Sequence, residues 1–262
     1  MERTFSQLLM GHAQQRPQAP AMREKEYGIW QTHSWSDMAK MVVHMAAGLH
    51  LAGLRRGEHI VVVGANRPRL TAAMLAAQTL GAIPVPLYQD AVASEYVFPI
   101  NNAEVRFAVV ENQEQVDKMI EIRGQCPGIS HIIYDDPRGL RNYQESGLSS
   151  LDACISAGAA HVAAHPAWVQ QEVDAGHAND VAAMFFTSGT TGNPKGVVHT
   201  HHSLIDRAQA GADFDHLGPN EEVLAYLPPA WIGQNIFSYA QWLCCGYVVN
   251  CPESAATMAI DL

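Results

Sequence analysis

Thr187-Ser188-Gly189-Thr190-Thr191-Gly192-Asn193-Pro194-Lys195-Gly196-Val197 is the stretch on which the reading of this chain turns. Three glycines, four hydroxyl side chains, one proline and one lysine stand between two apolar runs, 181–186 and 197–198. The pattern predicts a strand, a hydroxyl-rich loop and a second strand. Such a loop can wrap backbone N–H groups and hydroxyls around a polyphosphate, and Lys195 adds a cation. Gly189, Gly192 and Gly196 allow the backbone to come close to a ligand. A Walker A loop is excluded, because it needs Gly-Lys-Ser/Thr in that order. Here Pro194 precedes the lysine and Gly196 follows it. On composition alone a plain surface hairpin fits as well, since glycine, threonine, asparagine and proline all favour turns.

Working outward, the 262 residues can bury a large core in one or two domains. Hydrophobic content of 48% against 16% charged excludes a disordered chain and fits an α/β protein. A net charge of −10 argues against general nucleic-acid binding. An anionic ligand would therefore need a locally positive site. Cys126, Cys154, Cys244, Cys245 and Cys251 are an odd set without regular spacing, which reads as reduced thiols in a cytoplasmic protein. The N-terminus has no signal-peptide pattern, and no run approaches the roughly 18 apolar residues of a membrane span. Peripheral membrane contact stays open.

Upstream of the loop, helical patterns at 3–16, 36–52, 68–80, 94–101 and 113–123 alternate with apolar runs at 59–65, 81–88, 106–111 and 131–134. Continuous apolar strands between helices predict a parallel sheet covered on both faces. Residues 135–150 look like loop, and 151–173 look helical with a break at Pro166. Downstream of the loop we expect helix at 201–211, strand at 223–227, helix at 234–245 and strand at 247–251. The chain closes on Met258-Ala-Ile-Asp-Leu262, an apolar helical pattern without a cap.

The segment from Thr187 to Gly196 resembles, without a gap, the signature loop of the adenylate-forming superfamily, which includes acyl-CoA synthetases, luciferases and peptide-synthetase adenylation domains. Supporting likeness comes from Gly57-Glu-His-Ile-Val-Val-Val-Gly-Ala-Asn66, Gly81-Ala-Ile-Pro-Val-Pro-Leu-Tyr88, Val197-Val-His-Thr-His-His-Ser-Leu204 and Tyr226-Leu-Pro-Pro-Ala-Trp-Ile-Gly-Gln234. General likeness is greatest to long-chain acyl-CoA synthetases. The resemblance implies an α/β fold of parallel-rich sheets layered with helices, the front part of the large N-terminal domain. It implies a first subdomain over about 1–178 and the start of the loop-bearing portion over 179–262.

The resemblance also implies ATP, Mg²⁺ and CoA, with a carboxylic acid activated to an acyl-adenylate and passed to a thiol. The phosphate-binding role falls by position on Thr187, Ser188, Gly189, Thr190, Thr191, Gly192 and Lys195. Trp231 falls where acyl-CoA synthetases carry a histidine or another aromatic beside the acyl group, and Gln234 could face the same pocket. The bland reading of Trp231 is a core tryptophan beside a strand end. No residue is assigned as catalytic. The resembling family further needs an adenine-contacting segment, a ribose-binding aspartate and a small C-terminal domain with a lysine, and none has a counterpart here. The expectation is a front fragment that is inactive alone. An aryl-acid ligase and an adenylation domain share the same loop, and a non-catalytic nucleotide- or partner-binding fragment is the reading from a different class.

Three other groupings carry less. His199, His201 and His202 lack an acidic or cysteine partner at ligand spacing. Cys244, Cys245 and Cys251 sit in an apolar helix–strand context that favours buried thiols. Asp135-Asp136 reads as a solvated turn.

Overall fold

The computed structural model describes residues 3–187 and 192–261. Ile60 to Val63, a run with β-branched side chains at every position, forms the centre of β3 (His59–Val63). Around it a five-stranded sheet assembles in the order β4 (Ile83–Leu87), β3, β5 (Phe107–Val110), β6 (His131–Tyr134) and β7 (Leu148–Ser150). Every pair is parallel, with Val61 facing Val85 on one side and Ala108 on the other. Strand alternation divides this sheet between two cores. Ile60 and Val62 join one hydrophobic cluster, and Val61 and Val63 join the other.

The second cluster is closed by α4 (Ala93–Asn102) and α5 (Gln113–Glu121), which supply Tyr96, Ile100, Val116 and Met119. The first is filled by α1 (Phe5–Gln15), α2 (Trp35–Ala52) and α3 (Pro68–Thr79). Helix α2 starts on a capping box in which Ser34 accepts from Asp37 N at 3.1 Å and Asp37 accepts from Ser34 N at 2.9 Å. It ends at Gly53, whose φ of 106° is open to glycine and strained for other residues. Helices α2 and α6 (Leu151–Ala164) meet through glycine: a Cβ on Gly158 would lie 1.7 Å from the His44 carbonyl oxygen. Helix α7 (Trp168–Asp174) follows the break predicted at Pro166.

A second sheet lies across the first cluster, in the order β10 (Glu222–Leu224), β11 (Val248–Cys251), β1 (Pro20–Glu26) and β2 (Ile29–Ser34). Strands β10, β11 and β1 are parallel, and β2 is antiparallel to β1. Met22 and Val249 are paired in this sheet and both belong to the first cluster. Trp242 is wholly buried there, stacks on Trp35 with centroids 4.9 Å apart and donates from Nε1 to Ala21 O at 3.0 Å. The parallel, doubly covered sheet expected from the sequence is thus present, and beside it stand an antiparallel pair at 20–34 and a short strand at 148–150 inside the stretch expected to be loop.

The third unit is a hairpin of β8 (Val181–Thr187) and β9 (Lys195–Thr200), antiparallel, with Thr187 opposite Lys195. Helix α8 (His201–Phe214) follows directly, capped by Thr200, which accepts from Ser203 N. The helix expected over 234–245 is present from Ile232, but its middle, Asn235–Ala240, is π-helical. A closing helix, Met258–Asp261, is tied back by Lys25 Nζ to Asp261 at 2.6 Å.

Candidate phosphate and acid site

Parallel sheets bind ligands beyond the carboxyl ends of their strands. Here four such ends converge. Arg67, just after β3, donates from Nη1 to Pro252 O at 2.9 Å and from Nη2 to Glu253 O at 2.8 Å, fastening the segment after β11. Its Nε bonds Glu111 Oε1 at 3.3 Å, at the end of β5, while Glu111 Oε2 accepts from Ala65 N at 2.7 Å. Asn66 Nδ2 donates to Ala225 O at 3.1 Å and to Leu227 O at 2.8 Å, fastening the segment after β10. Two adjacent side chains therefore bind one sheet's edge to the other's.

Between these edges runs an open cleft lined by Asn66, Gln89, Asp90, Tyr226, Leu227 and Pro252. Behind it lies a small, partly open pocket of about 30 Å³, walled by Met22, Val62, Leu70, Met74 and Val249 with Thr71, Ser238 and Tyr239 among its polar lining. Ala65, Asn66, Ala225 and Pro229 line both, so the two spaces are contiguous.

The hairpin opens on the same edge. Asp180, just before β8, lies 3.6 Å from Arg56, which precedes β3, so β8 begins at the amino edge of the sheet. Ala182 O then accepts from Gln78 Nε2 at 2.8 Å. Farther along, Phe186 meets Phe98 of α4 edge-on. Strand β8 thus runs beside β4 in the same sense, and Thr187 emerges on the carboxyl side, where Gln89 and Asp90 follow β4 into the cleft.

Of the expected phosphate ligands, Thr187, Gly192 and Lys195 are described, all three exposed, while Ser188, Gly189, Thr190 and Thr191 lie outside the described residues. Thr187 and Lys195 face each other across the hairpin, so a hydroxyl and an ammonium flank the base of the loop. Gly192 has φ of 97°, a conformation suited to glycine, and no atom of the described residues lies within 4 Å of where a Cβ would stand. At Gly196 a Cβ would press on Met184 Sδ at 3.1 Å and the Phe186 ring at 3.3 Å, so glycine keeps β9 close against β8. Among the described residues no carboxylate is paired with Lys195. A hydroxyl and a cation without a carboxylate partner among the described residues suit a polyphosphate.

The two expected acid-pocket residues part company. Gln234 lines the small inner pocket and is 6% exposed. Trp231 lines neither the pocket nor the cleft. It precedes the bulged helix, 42% exposed, with its ring over Gly233. It is not a core tryptophan, and its place is on the surface beside Pro228, whose carbonyl accepts from Trp231 N at 2.9 Å. Sequence reasoning missed Asn66 and Arg67. The signal was present, because polar residues directly after a buried parallel strand stand at the edge where ligands bind.

The remaining groupings behave structurally. His201 is buried, accepts from Phe5 N at Nδ1 (3.3 Å), and burial lowers its pKa to about 4. No cluster of three metal-ligating side chains occurs among the described residues. Burial pushes the Cys244 and Cys251 thiols up to about 12, so both stay protonated and unreactive. Asp135 and Asp136 are ion-paired with Arg69 and Arg138, which makes their turn anchored instead of merely solvated. No described helix is long and apolar enough to cross a membrane.

Residues 9–261 match the family model of the AMP-binding enzymes. Among curated proteins, the long-chain-fatty-acid–CoA ligase FadD15 of Mycobacterium bovis is 26% identical over 216 residues, covering 81% of this chain and 34% of its own length. Fatty acyl-CoA synthetase A of Dictyostelium discoideum is 28% identical over 195 residues, covering 71% of this chain and 27% of its own. The chain therefore spans about a third of the length of the curated relatives it matches. Among solved structures, the inhibitor-bound N-terminal domain of FACL13 from Mycobacterium tuberculosis superposes with a TM-score of 0.81 at 20% identity, over 98% of this chain and 59% of that one. The anthranilate CoA ligase AuaEII bound to anthranoyl-AMP gives 0.78 at 20% identity, over 94% and 45%.

Proposed function

Because the chain belongs to the AMP-binding enzyme family, we propose that it is the phosphate-gripping and acid-receiving front part of an ATP-dependent acid–CoA ligase. The observation that carries this reading is the shared edge: Thr187 and Lys195 stand on the side of the sheet where the cleft opens into the inner pocket. A carboxylate must reach the α-phosphorus of ATP while three phosphates are held still, so alignment and charge neutralisation dominate the chemistry. The carboxylate oxygen forms the new P–O bond and pyrophosphate leaves; the CoA thiol would then attack the acyl carbon of the adenylate, forming the thioester as the C–O bond to AMP breaks and AMP leaves. Lys195 neutralises phosphate charge and is not a nucleophile. Hydroxyls of Thr187, Ser188, Thr190 and Thr191 hydrogen-bond phosphate oxygens or ligate Mg²⁺, which supplies further neutralisation of the phosphates when bound. The acid enters by the cleft, with its apolar end toward Gln234 and its carboxylate toward the loop. The names of the curated relatives favour the fatty acid class.

Titration of the 262-residue chain with a fluorescent ATP analogue and Mg²⁺ tests the phosphate site. Lys195→Ala removes a charge-assisted contact worth about 1.5–3 kcal/mol, so affinity should fall roughly 10- to 100-fold. An unchanged affinity would overturn the assignment of the loop. ATP–pyrophosphate exchange by these 262 residues alone should stay at background with fatty and aryl acids, because they span about a third of the length of the curated relatives, and robust exchange would show that this third suffices.

A further inference from the structure

Leu70, Met74 and Gln78 recur every fourth residue along α3 and so share one face of it. The first two line the inner pocket, and Gln78 continues their stripe into the core, 5% exposed. Its amide is used at both ends. Nε2 donates to Ala182 O at 2.8 Å, and Oε1 accepts from the Tyr239 hydroxyl at 2.6 Å. A backbone carbonyl only accepts, so the amide has one orientation and Tyr239 is the donor. Burial holds the Tyr239 phenol well above its ordinary range, which keeps that proton in place.

Both partners sit where the regular pattern breaks. Tyr239 belongs to the π-helical stretch and lines the inner pocket with Asn235 and Ser238 of the same stretch. Single π-turns gather at functional sites. Ala182 is the extra residue of a β-bulge: the register shifts between Val181, opposite Thr200, and Ala183, opposite His199. Without the bulge, every later residue of β8 would slide by one and change faces, and Thr187 would meet Pro194 instead of Lys195. Tyr239 also reaches the other arm of the hairpin. Its ring meets Phe5 edge-on at 5.3 Å, Phe5 meets His201 edge-on at 5.2 Å, and Phe5 N donates to His201 Nδ1.

We infer that Gln78 is a positioning residue: it holds the bulge that sets the register of the phosphate hairpin and ties that bulge to the wall of the acid pocket, so that acid and nucleotide bind cooperatively. The inference rests on the reading of the pocket and the hairpin as the acid and phosphate sites. Gln78 acts through others, since Thr187 lies five residues beyond Ala182, about 17 Å along the strand. Its partner on β8 is the one residue that the β8–β9 ladder leaves over. An acid in the pocket fixes Tyr239, Tyr239 fixes Gln78, and Gln78 fixes the bulge. The first ligand then bears the cost of ordering this chain of contacts, and the second meets a hairpin already set. Linkage makes the effect reciprocal.

Paired titrations of the 262-residue chain test this. The affinity for a fluorescent ATP analogue with Mg²⁺ is measured with and without saturating decanoate or benzoate, and that for each acid with and without ATP. At least one acid should tighten nucleotide binding about 5-fold or more, and ATP should tighten that acid by the same factor. Gln78→Met keeps the side chain's length and removes both hydrogen bonds. It should weaken nucleotide binding several-fold and bring the factor to about 1. Tyr239→Phe keeps the ring against Phe5 and removes only the hydroxyl, and it should lose the factor as well. The factor is a ratio of two affinities of one variant, so a direct loss of acid affinity cancels from it. A Gln78 that only fills the core would lower the melting temperature of Gln78→Met and leave the factor alone. If Gln78→Met does not fold, Tyr239→Phe decides. Both ligands binding the unaltered chain with a factor of about 1 overturns the inference and leaves the proposed function standing. So does a factor that survives in Tyr239→Phe or in folded Gln78→Met, which would place the coupling in direct contact between the ligands. Failure of the nucleotide or of every acid to bind overturns the proposed function, and the inference with it.

Discussion

Strands β3 and β9 are both short and valine-bearing, yet one is sealed and the other bare. Val61 in β3 is 0% exposed, while Val198 in β9 is 53% exposed. The residue type is the same; the difference is the number of neighbours. Strand β3 has a parallel partner on each side and helices over both faces. Among the described residues, strand β9 is bonded to β8 alone. Burial fixes the first region without help, so its residues act through stability. In the second, little is buried, so its residues contribute little to stability.

Substitutions can break that division. Trp242→Ala, in the scaffold, should have the largest effect: loss of a fully buried indole costs about 3–5 kcal/mol, read by urea denaturation. Next comes the junction between the two regions. His201 opens α8 directly after β9 and is held neutral, with its pKa lowered to about 4 from 6.5. The unfolded chain therefore binds a proton that the folded chain does not, and stability falls as pH drops from about 6.5 toward 4. The gap corresponds to about 3 kcal/mol at its lower end, and His201→Gln should flatten that limb of the profile. A stability curve with no such limb would mean that His201 is not sealed into the scaffold. The direct comparison gives the smallest shifts. Val61→Ala should cost about 2 kcal/mol and Val198→Ala less than about 0.5 kcal/mol. Equal costs would erase the distinction between the two strands.

How far the sequence could be read follows the same division. Strands β3, β4, β5 and β6 and helices α2 and α3 were legible because burial on both faces writes an unbroken apolar run between capped helices. Strands β1 and β2 were not, since Arg23-Glu-Lys-Glu26 and Gln31-Thr-His33 carry polar side chains into a sheet with a partly open face. The partnership of Met22 with Val249 is also invisible locally, because it joins opposite ends of the chain. The hairpin at 181–200 was legible as strand, loop, strand, and its glycines and lysine pointed to phosphate. Gln234 was legible as a candidate from its place after Leu-Pro-Pro, whereas its burial against Met22, Leu70 and Val249 depends on packing in three dimensions. Trp231 is no core tryptophan: helix-start geometry places its ring over Gly233, which neither composition nor spacing reveals. The π-helical stretch from Asn235 left no mark in the apolar pattern of 234–245.

Asn66 has a consequence for motion. Its single Nδ2 grips both Ala225 O and Leu227 O, across the boundary between the two sheets. Widening the cleft by more than the reach of a hydrogen bond releases both carbonyls in one event. Arg67 holds Pro252 O and Glu253 O across the same boundary, so the mouth of the cleft widens only when two neighbouring side chains let go together.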